Sequence, residues 1–312
     1  MKKAVFLALA LAAISGVFAQ TPGLTFGTWG YAQGTFNTPV LFEIYDEAYI
    51  SYRKREVGLN TTFTTSVKWN SGTITGPNLD FQNFTLSYAP NSFLKALAGK
   101  LVESGDAVLS SYINGYKFSR LIANTEPGIL VLLFPARELT LSAFTPFTES
   151  EILGTIKKSS FGMKLAIPKV ANFVASYRLR EHEFAAGLDL RMVSDLTFKI
   201  GFKHFTLPAR QAGVMFTVNR RFGGLNLALD GNVKIIPEIA FGVEGLIEYT
   251  IGNYTFGTVN SYDTKDLWYG NNGAILSVFV RRDFSAGSVR ASVRYNMPTK
   301  DWVMPFTFAI FF

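Results

Sequence analysis

Thirteen residues, VGLNTTFTTSVKW at positions 57 to 69, alternate strictly between two faces. Val57, Leu59, Phe63, Val67 and Trp69 fall on one face, and the intervening polar residues fall on the other. This period of two predicts a β-strand. A strand in a soluble domain has about five or six residues, whereas a tilted strand that crosses a membrane needs about 9 to 11. The length of the run therefore favours a membrane-spanning strand.

Similar runs follow one another along the chain and are separated by short turns, which predicts an antiparallel meander. Eighteen runs are found, at residues 24–36, 44–55, 57–69, 81–89, 95–102, 128–134, 139–145, 161–167, 171–180, 183–192, 196–205, 211–219, 225–230, 238–250, 254–262, 274–282, 288–296 and 302–312. The weakest begin at Leu225 and Tyr254, and without them the count is 16. The predicted fold is an all-β transmembrane barrel of about 18 strands.

The last run, WVMPFTFAIFF, places apolar residues at every second position. It resembles the C-terminal assembly signal of bacterial outer-membrane β-barrels, which end in Phe after alternating apolar residues. The resemblance assigns this role to Phe308, Ile310 and Phe312. It also implies a location in the bacterial outer membrane, contact with its lipid, and delivery by periplasmic chaperones to the barrel-assembly machinery.

The first residues have the pattern of a secretory signal peptide. Lys2 and Lys3 precede an apolar run from Ala4 to Ala13, and small or compact residues precede Gln20. This pattern predicts cleavage after residue 19. Residues 20–312 are then expected to form a single outer-membrane barrel domain. The sequence contains no Cys, so disulfides and thiolate chemistry are excluded.

Hydrophobic residues make up 48% of the chain, but no stretch after the signal approaches 18 consecutive apolar residues. A helical membrane protein is therefore not expected. The formal charge of +7 is modest and not clustered, so no nucleic-acid partner is expected.

The charged residues fall on the face opposite the apolar positions, and the cations outnumber the anions. Because Lys or Arg on a lipid-facing position costs roughly 2 to 4 kcal/mol at the bilayer midplane, these residues are expected to line an aqueous lumen. A barrel of 16 to 18 strands is wide enough to hold one. The predicted pore-lining residues are Arg53, Lys68, Lys164, Arg178, Arg191, Lys199, Lys203, Arg290, Arg294, Glu244 and Glu248. Such a lumen predicts passive diffusion of small hydrophilic solutes with a weak preference for anions.

Residues 103–127 are predicted to form one long loop after the fifth strand, although Tyr116 to Ile122 also alternates. A nineteenth strand would break the even strand number of bacterial barrels. At this point the chain resembles general porins, whose third external loop also follows the fifth strand and narrows the pore. The resemblance makes Glu103 and Asp106 constriction candidates. The sequence leaves open whether the loop enters the pore or stays at the surface.

Aromatic residues near the predicted strand ends, such as Trp69, Tyr88, Tyr249 and Trp302, fit the two membrane interfaces. Most aromatic residues fall on the outward face, which disfavours a dedicated sugar channel lined with stacked rings. An outward trimer interface would be indistinguishable from lipid contact, so a homotrimer remains open.

The sequence offers little for catalysis. Its two histidines, His182 and His204, have no second His or Cys with metal-ligand spacing, so neither a metal, a cofactor nor an enzyme is expected. Two alternatives to a channel remain. One is a non-conducting adhesin or envelope scaffold that acts through its external loops. The other is a soluble β-sandwich, which strand length and the charged inner face disfavour.

Overall fold

The chain forms a closed antiparallel β-barrel in a computed structural model that describes residues 23–35, 41–70, 72–101, 109–113, 115, 118, 121–122, 126–147, 156–191, 193, 195–206, 210–264 and 273–311. Each strand pairs with its neighbours in sequence, and β1 pairs with β18 to close the cylinder. The strands are β1 (Leu24–Thr35), β2 (Leu41–Lys54), β3 (Val57–Asn70), β4 (Thr73–Tyr88), β5 (Leu94–Leu101), β6 (Glu126–Ala136), β7 (Leu139–Pro146), β8 (Ser160–Ile167), β9 (Ala171–Arg178), β10 (Glu183–Leu190), β11 (Leu196–Phe205), β12 (Gln211–Phe222), β13 (Leu225–Ile236), β14 (Ala240–Ile251), β15 (Tyr254–Asp263), β16 (Gly273–Phe284), β17 (Gly287–Asn296) and β18 (Asp301–Phe311).

The predicted count of eighteen strands is confirmed. The two weakest runs are β13 and β15, so the lower count of 16 does not apply. Within the described part of residues 103–127 there is no additional barrel strand, as the even strand number required. The signal segment, residues 1–19, lies outside the described residues.

The largest error in strand boundaries concerns β4, which begins at Thr73 instead of residue 81. Its first half contains Gly76 and Pro77, and the register against β3 shifts between Ser66 and Lys68. Since proline has no N–H to donate to the ladder, pairing is interrupted there and the alternation is lost from the sequence. The hydrogen-bonded ladder continues on both sides of the interruption.

Alternation along most strands separates an apolar outer surface from a polar inner surface. In β14, Phe241 is 43% exposed and Ile247 is 54% exposed on the outside, whereas Glu244, on the opposite face, is only 1% exposed. The four predicted interfacial aromatics Trp69, Tyr88, Tyr249 and Trp302 are exposed near strand ends. The outer surface therefore matches the apolar band of a membrane barrel.

The two ends of the barrel differ in the length of their connections. At the end that carries both described chain ends, connections are short, such as Arg55–Glu56 between β2 and β3 and Gly223–Gly224 between β12 and β13. Arg55 and Gly223 adopt positive φ angles of 54° and 57°, as tight hairpin turns require. The opposite end carries the longest connections, which follow β5, β7 and β15. Among the described residues, no helix is long and apolar enough to cross a membrane.

Candidate functional site

The described part of the connection between β5 and β6 lies inside the barrel and packs against its inner wall. We call this described part, which consists of Leu109 to Ile113, Gly115, Phe118, Leu121 and Ile122, the inner loop. Leu109, Phe118, Leu121 and Ile122 are each at most 3% exposed. The sequence left open whether this loop enters the pore or stays at the surface. Its described residues lie inside the barrel and not at the outer surface.

Apolar contacts attach the inner loop to the wall at three places. Leu121 and Ile122 pack against β5, β6 and β7, in a cluster with Leu97, Leu101, Leu130, Leu132 and Phe144. Leu109 and Phe118 pack against Val174 of β9 and Met215 of β12. Tyr112 and Ile113 pack against Ala228, Leu246 and Phe279 of β13, β14 and β16. The barrel has its apolar cores here, between loop and wall.

Two glycines of the wall make the close approach possible. A Cβ atom at Gly187 of β10 would collide with the side chain of Leu109. At Gly201 of β11 it would collide with Leu109 and would also lie 3.1 Å from the ring of Phe118. Any larger residue at either position would occupy the space that the loop fills.

A buried carboxylate holds the middle of the inner loop. Asp230 of β13 is fully buried. Its Oδ1 atom accepts the backbone N–H of Tyr112 at 3.1 Å, and its Oδ2 atom accepts that of Ile113 at 2.6 Å. The hydroxyl of Thr217 on β12 donates to Oδ1 at 2.7 Å. Both carboxylate oxygens are thereby engaged.

Two of the predicted pore-lining cations bond to the inner loop. The Nζ atom of Lys199 donates to the backbone oxygen of Ser110 at 2.9 Å. Lys203 donates to the backbone oxygen of Phe118 at 3.4 Å, and its Nζ lies 4.8 Å from the centre of that ring. Both lysines point inward, yet their charge is directed at backbone carbonyls.

Three other predicted cations form ion pairs on the wall. The Nζ atom of Lys68 lies 3.1 Å from a carboxylate oxygen of Glu43. The guanidinium of Arg178 lies 3.0 Å from a carboxylate oxygen of Glu183, and that of Arg191 lies 2.7 Å from one of Asp189. The hydrogen bond to Asp189 raises the pKa of Arg191, which follows the end of β10. These pairs offset much of the positive charge that the sequence assigned to the lumen.

A cavity of about 460 Å³ lies beside the inner loop, between Ile113 and the wall. Arg290 and Arg294 of β17, Glu244 of β14 and Tyr31 of β1 line it. The Arg290 guanidinium also lies 3.8 Å from the centre of the Phe279 ring. Of the predicted pore-lining residues, these two arginines and Glu244 meet in one place.

The remaining predicted site residues are dispersed. Arg53 is exposed near the end of β2, Lys164 lies in β8, and Glu248 accepts a hydrogen bond from Asn226 at 2.7 Å. Phe308 and Ile310 lie in β18, and a Cβ atom at Gly30 would lie 2.6 Å from the Phe308 ring. Glu103, Asp106 and Phe312 lie outside the described residues.

The sequence interpretation missed a cluster of aromatic residues on the inner face. Tyr31 of β1 and Tyr45 of β2 stack with their ring centroids 5.2 Å apart. The Trp29 ring packs edge to face against both, with its centroid 5.9 Å from each of theirs. Tyr49 lies on the same face, where its ring covers Gly27. Glycines at 27, 30 and 34 interrupt the apolar alternation of β1, so its sequence does not show which parity faces inward. The cavity lining, which includes Tyr31 and Gln33, shows that the odd positions of β1 face inward.

Neither histidine belongs to a reactive cluster. His182 lies in the turn after β9, where its Nδ1 is 3.3 Å from the Tyr177 hydroxyl, and His204 lies in β11. Among the described residues, no group of three or more His, Asp or Glu side chains could hold a metal ion.

No protein-family model matches the chain, and no curated protein matches it. Solved structures do. Pseudomonas aeruginosa OpdK, solved with vanillate, is similar with a TM-score of 0.62 and 10% identity over 93% of this chain and 98% of that one. P. aeruginosa OccK5 (OpdH) gives 0.60 and 10% over the same shares. A triple mutant of the Rhodopseudomonas blastica porin gives 0.52 and 10% over 93% and 99%. At this level of identity, the likeness establishes that the chain has the barrel fold of these porins.

Proposed function

We propose that this protein is a bacterial outer-membrane channel through which small hydrophilic solutes diffuse passively, with a weak preference for anions. The observation that carries the proposal is the cavity between Ile113 of the inner loop and the wall residues Arg290 and Arg294. Its volume of about 460 Å³ suits small solutes. A polar lumen inside an apolar outer surface is the arrangement that a diffusion pore requires.

The inner loop supports the role of a size filter. It fills part of the lumen with side chains such as Leu109, Phe118 and Leu121, which are almost completely buried. An 18-strand barrel would otherwise leave a wide aqueous channel. We therefore assign the selection by size to the gap between the inner loop and the strands that it leaves uncovered.

Charge selection is assigned to Arg290 and Arg294. Three of the other inward cations, Lys68, Arg178 and Arg191, are paired with carboxylates. Two more, Lys199 and Lys203, are directed at backbone oxygens of the inner loop. Glu244 lines the same cavity and opposes the two arginines. With two positive groups and one negative group at the cavity, the field favours anions only slightly. A weak preference follows.

The surroundings of the channel belong to the same proposal. The exposed apolar band, which includes Phe241, Ile247 and Phe306, would contact outer-membrane lipid. Residues 1–19 would direct export, and residues 20–312 would be inserted by the barrel-assembly machinery after transport by periplasmic chaperones. The function requires no reaction and no cofactor, because width and charge alone decide what passes.

The test is the single-channel conductance of the refolded protein from Gln20 onward in a planar bilayer, with the reversal potential measured under a salt gradient. Open steps with a reversal potential on the anion side would support both parts of the proposal. Protein that is inserted, shown by its heat-modifiable migration in gels, but that conducts no current would refute the channel and favour an adhesin or scaffold role.

A further inference from the structure

We infer that Asp230 positions the inner loop across the lumen, with Lys199 and Lys203 as its partners in this task. We call these three residues the loop anchor. The inference deepens the proposed function and rests on it in one respect, namely that the position of the inner loop sets the width of the pore. The attachment itself is independent of conduction.

The first argument is the burial of Asp230. Its side chain is fully buried, and among the described residues it takes part in no ion pair. Burying a carboxylate without a cation is costly unless hydrogen bonds stabilise its charge. Here the bonds come from the amides of Tyr112 and Ile113 and from the Thr217 hydroxyl. Two of these three donors belong to the inner loop, so the buried charge requires the loop to be in place.

The second argument is the complementary polarity of the three anchor residues. Asp230 accepts from amides of the inner loop, whereas Lys199 and Lys203 donate to its carbonyl oxygens. The three wall residues therefore bond to the backbone of the loop at Ser110, Tyr112–Ile113 and Phe118. Hydrogen bonds to charged groups are about twice as strong as neutral ones. These bonds hold the backbone of the loop in addition to the contacts of its apolar side chains.

The third argument is the position of the anchor along the loop. Leu121 and Ile122 pack against β5–β7, close to the start of β6, whereas Tyr112 and Ile113 lie against β13–β16, farther round the barrel. Asp230 lies at this distant end, where Tyr112 also accepts hydrogen bonds from Arg221 and Asn226 at 3.2 and 3.3 Å. Loss of the anchor there would release the part of the loop that borders the cavity.

The test replaces Asp230 with Asn, which keeps the shape but turns one acceptor into a donor that faces a backbone N–H. Hydrogen–deuterium exchange of individual amides is measured by NMR on the folded barrel in detergent micelles. Only the amide that faces the new NH2 group, that of Tyr112 or that of Ile113, loses its acceptor directly. The informative amide is that of Phe118, which donates to the Leu109 oxygen at 2.8 Å and not to Asp230. We expect all three to exchange at least tenfold faster.

The control is Asp189→Asn, which removes another buried inward carboxylate whose bonds go to the wall residues Arg191 and Asn172. It should leave the Phe118 amide within twofold of the wild-type rate. Should Asp230→Asn fail to fold, Thr217→Val removes only the hydroxyl that orients the carboxylate and should accelerate exchange about threefold.

The inference is overturned if Asp230→Asn accelerates exchange at Tyr112 and Ile113 alone and leaves Phe118 unchanged. Asp230 would then protect two amides without positioning the loop. Conductance separates this failure from that of the proposed function. Faster exchange at all three amides with unaltered conductance would support the anchor and contradict the role of the inner loop as a filter. Larger conductance with noisier open levels would support both.

Discussion

Replacing Arg290 and Arg294 together by Gln should turn the weak anion preference at low salt into a weak cation preference, because Glu244 is then the remaining charged group of the three at the cavity. A cavity of about 460 Å³ is about 10 Å across if round, so a charge at its edge lies about 5 Å from an ion at its centre. In water, two unit charges at that separation interact with an energy of about 0.8 kcal/mol. Screening over a Debye length of about 10 Å at 0.1 M leaves about 0.5 kcal/mol.

An energy of about 0.5 kcal/mol changes the local ion concentration about twofold, because about 1.4 kcal/mol corresponds to tenfold. Each arginine raises the concentration of anions and lowers that of cations. The ratio of the two permeabilities should therefore fall about fivefold for each arginine removed. At 1 M salt, where the Debye length is about 3 Å, the change should be less than about twofold for each.

The assay is the reversal potential of the double variant under a tenfold KCl gradient, once with a mean concentration near 0.1 M and once near 1 M. The matched control is Arg282→Gln, which removes the same charge from the outward face of β16, where the guanidinium lies 5.4 Å from the Tyr254 ring. It should leave the reversal potential unchanged. A double variant that keeps the wild-type potential at 0.1 M, or a control that shifts it equally, would refute the assignment of selectivity to the cavity.

Three further predictions concern individual side chains of the barrel wall. Gly201→Val should displace Leu109 and Phe118 and raise the conductance in planar bilayers, whereas Gly245→Val, whose Cβ would meet nothing within 4 Å, should not. Asp46→Leu should raise the free energy of unfolding, measured in urea, by about 1 to 2 kcal/mol. Asp46 accepts a hydrogen bond from Thr28 on the outward face of the barrel, where a charged side chain is unfavourable in lipid. Equal or lower stability of the variant would contradict the outward orientation of Asp46. Replacing Tyr31 and Tyr45 by Ala should enlarge the cavity and raise the conductance for large ions more than for chloride, and an unchanged ratio would place both rings outside the path of the solutes.

The sequence predicted the barrel well because its strands depend on a local signal. A period of two, continued over runs such as Val57 to Trp69, is visible without knowledge of any partner strand. The signal failed where a local feature masked it, as at Gly76 and Pro77 of β4, where the ladder continues although the alternation stops. Eighteen strands were therefore predicted correctly, with errors at their ends.

The site was harder to predict from the sequence, because it depends on contacts between distant parts of the chain. Asp230 meets Tyr112 over a separation of 118 residues, and no local pattern announces such a pair. The inward parity of the charges was readable, but their partners were not. Lys199 and Lys203 looked like free lumenal cations, and each instead bonds to a backbone oxygen of the inner loop.

The inner loop packs against strands between β5 and β16, whereas the cavity beside it also borders β17, β18 and β1. Natural variation in such a barrel can therefore act on two traits separately. Substitutions beneath the loop would change how large a solute can be, and those at Arg290 or Arg294 would change which solute of that size is preferred. A bacterium exposed to a toxic solute would thus have two independent mutational routes to lower uptake, and only the second would spare the entry of nutrients of similar size but different charge.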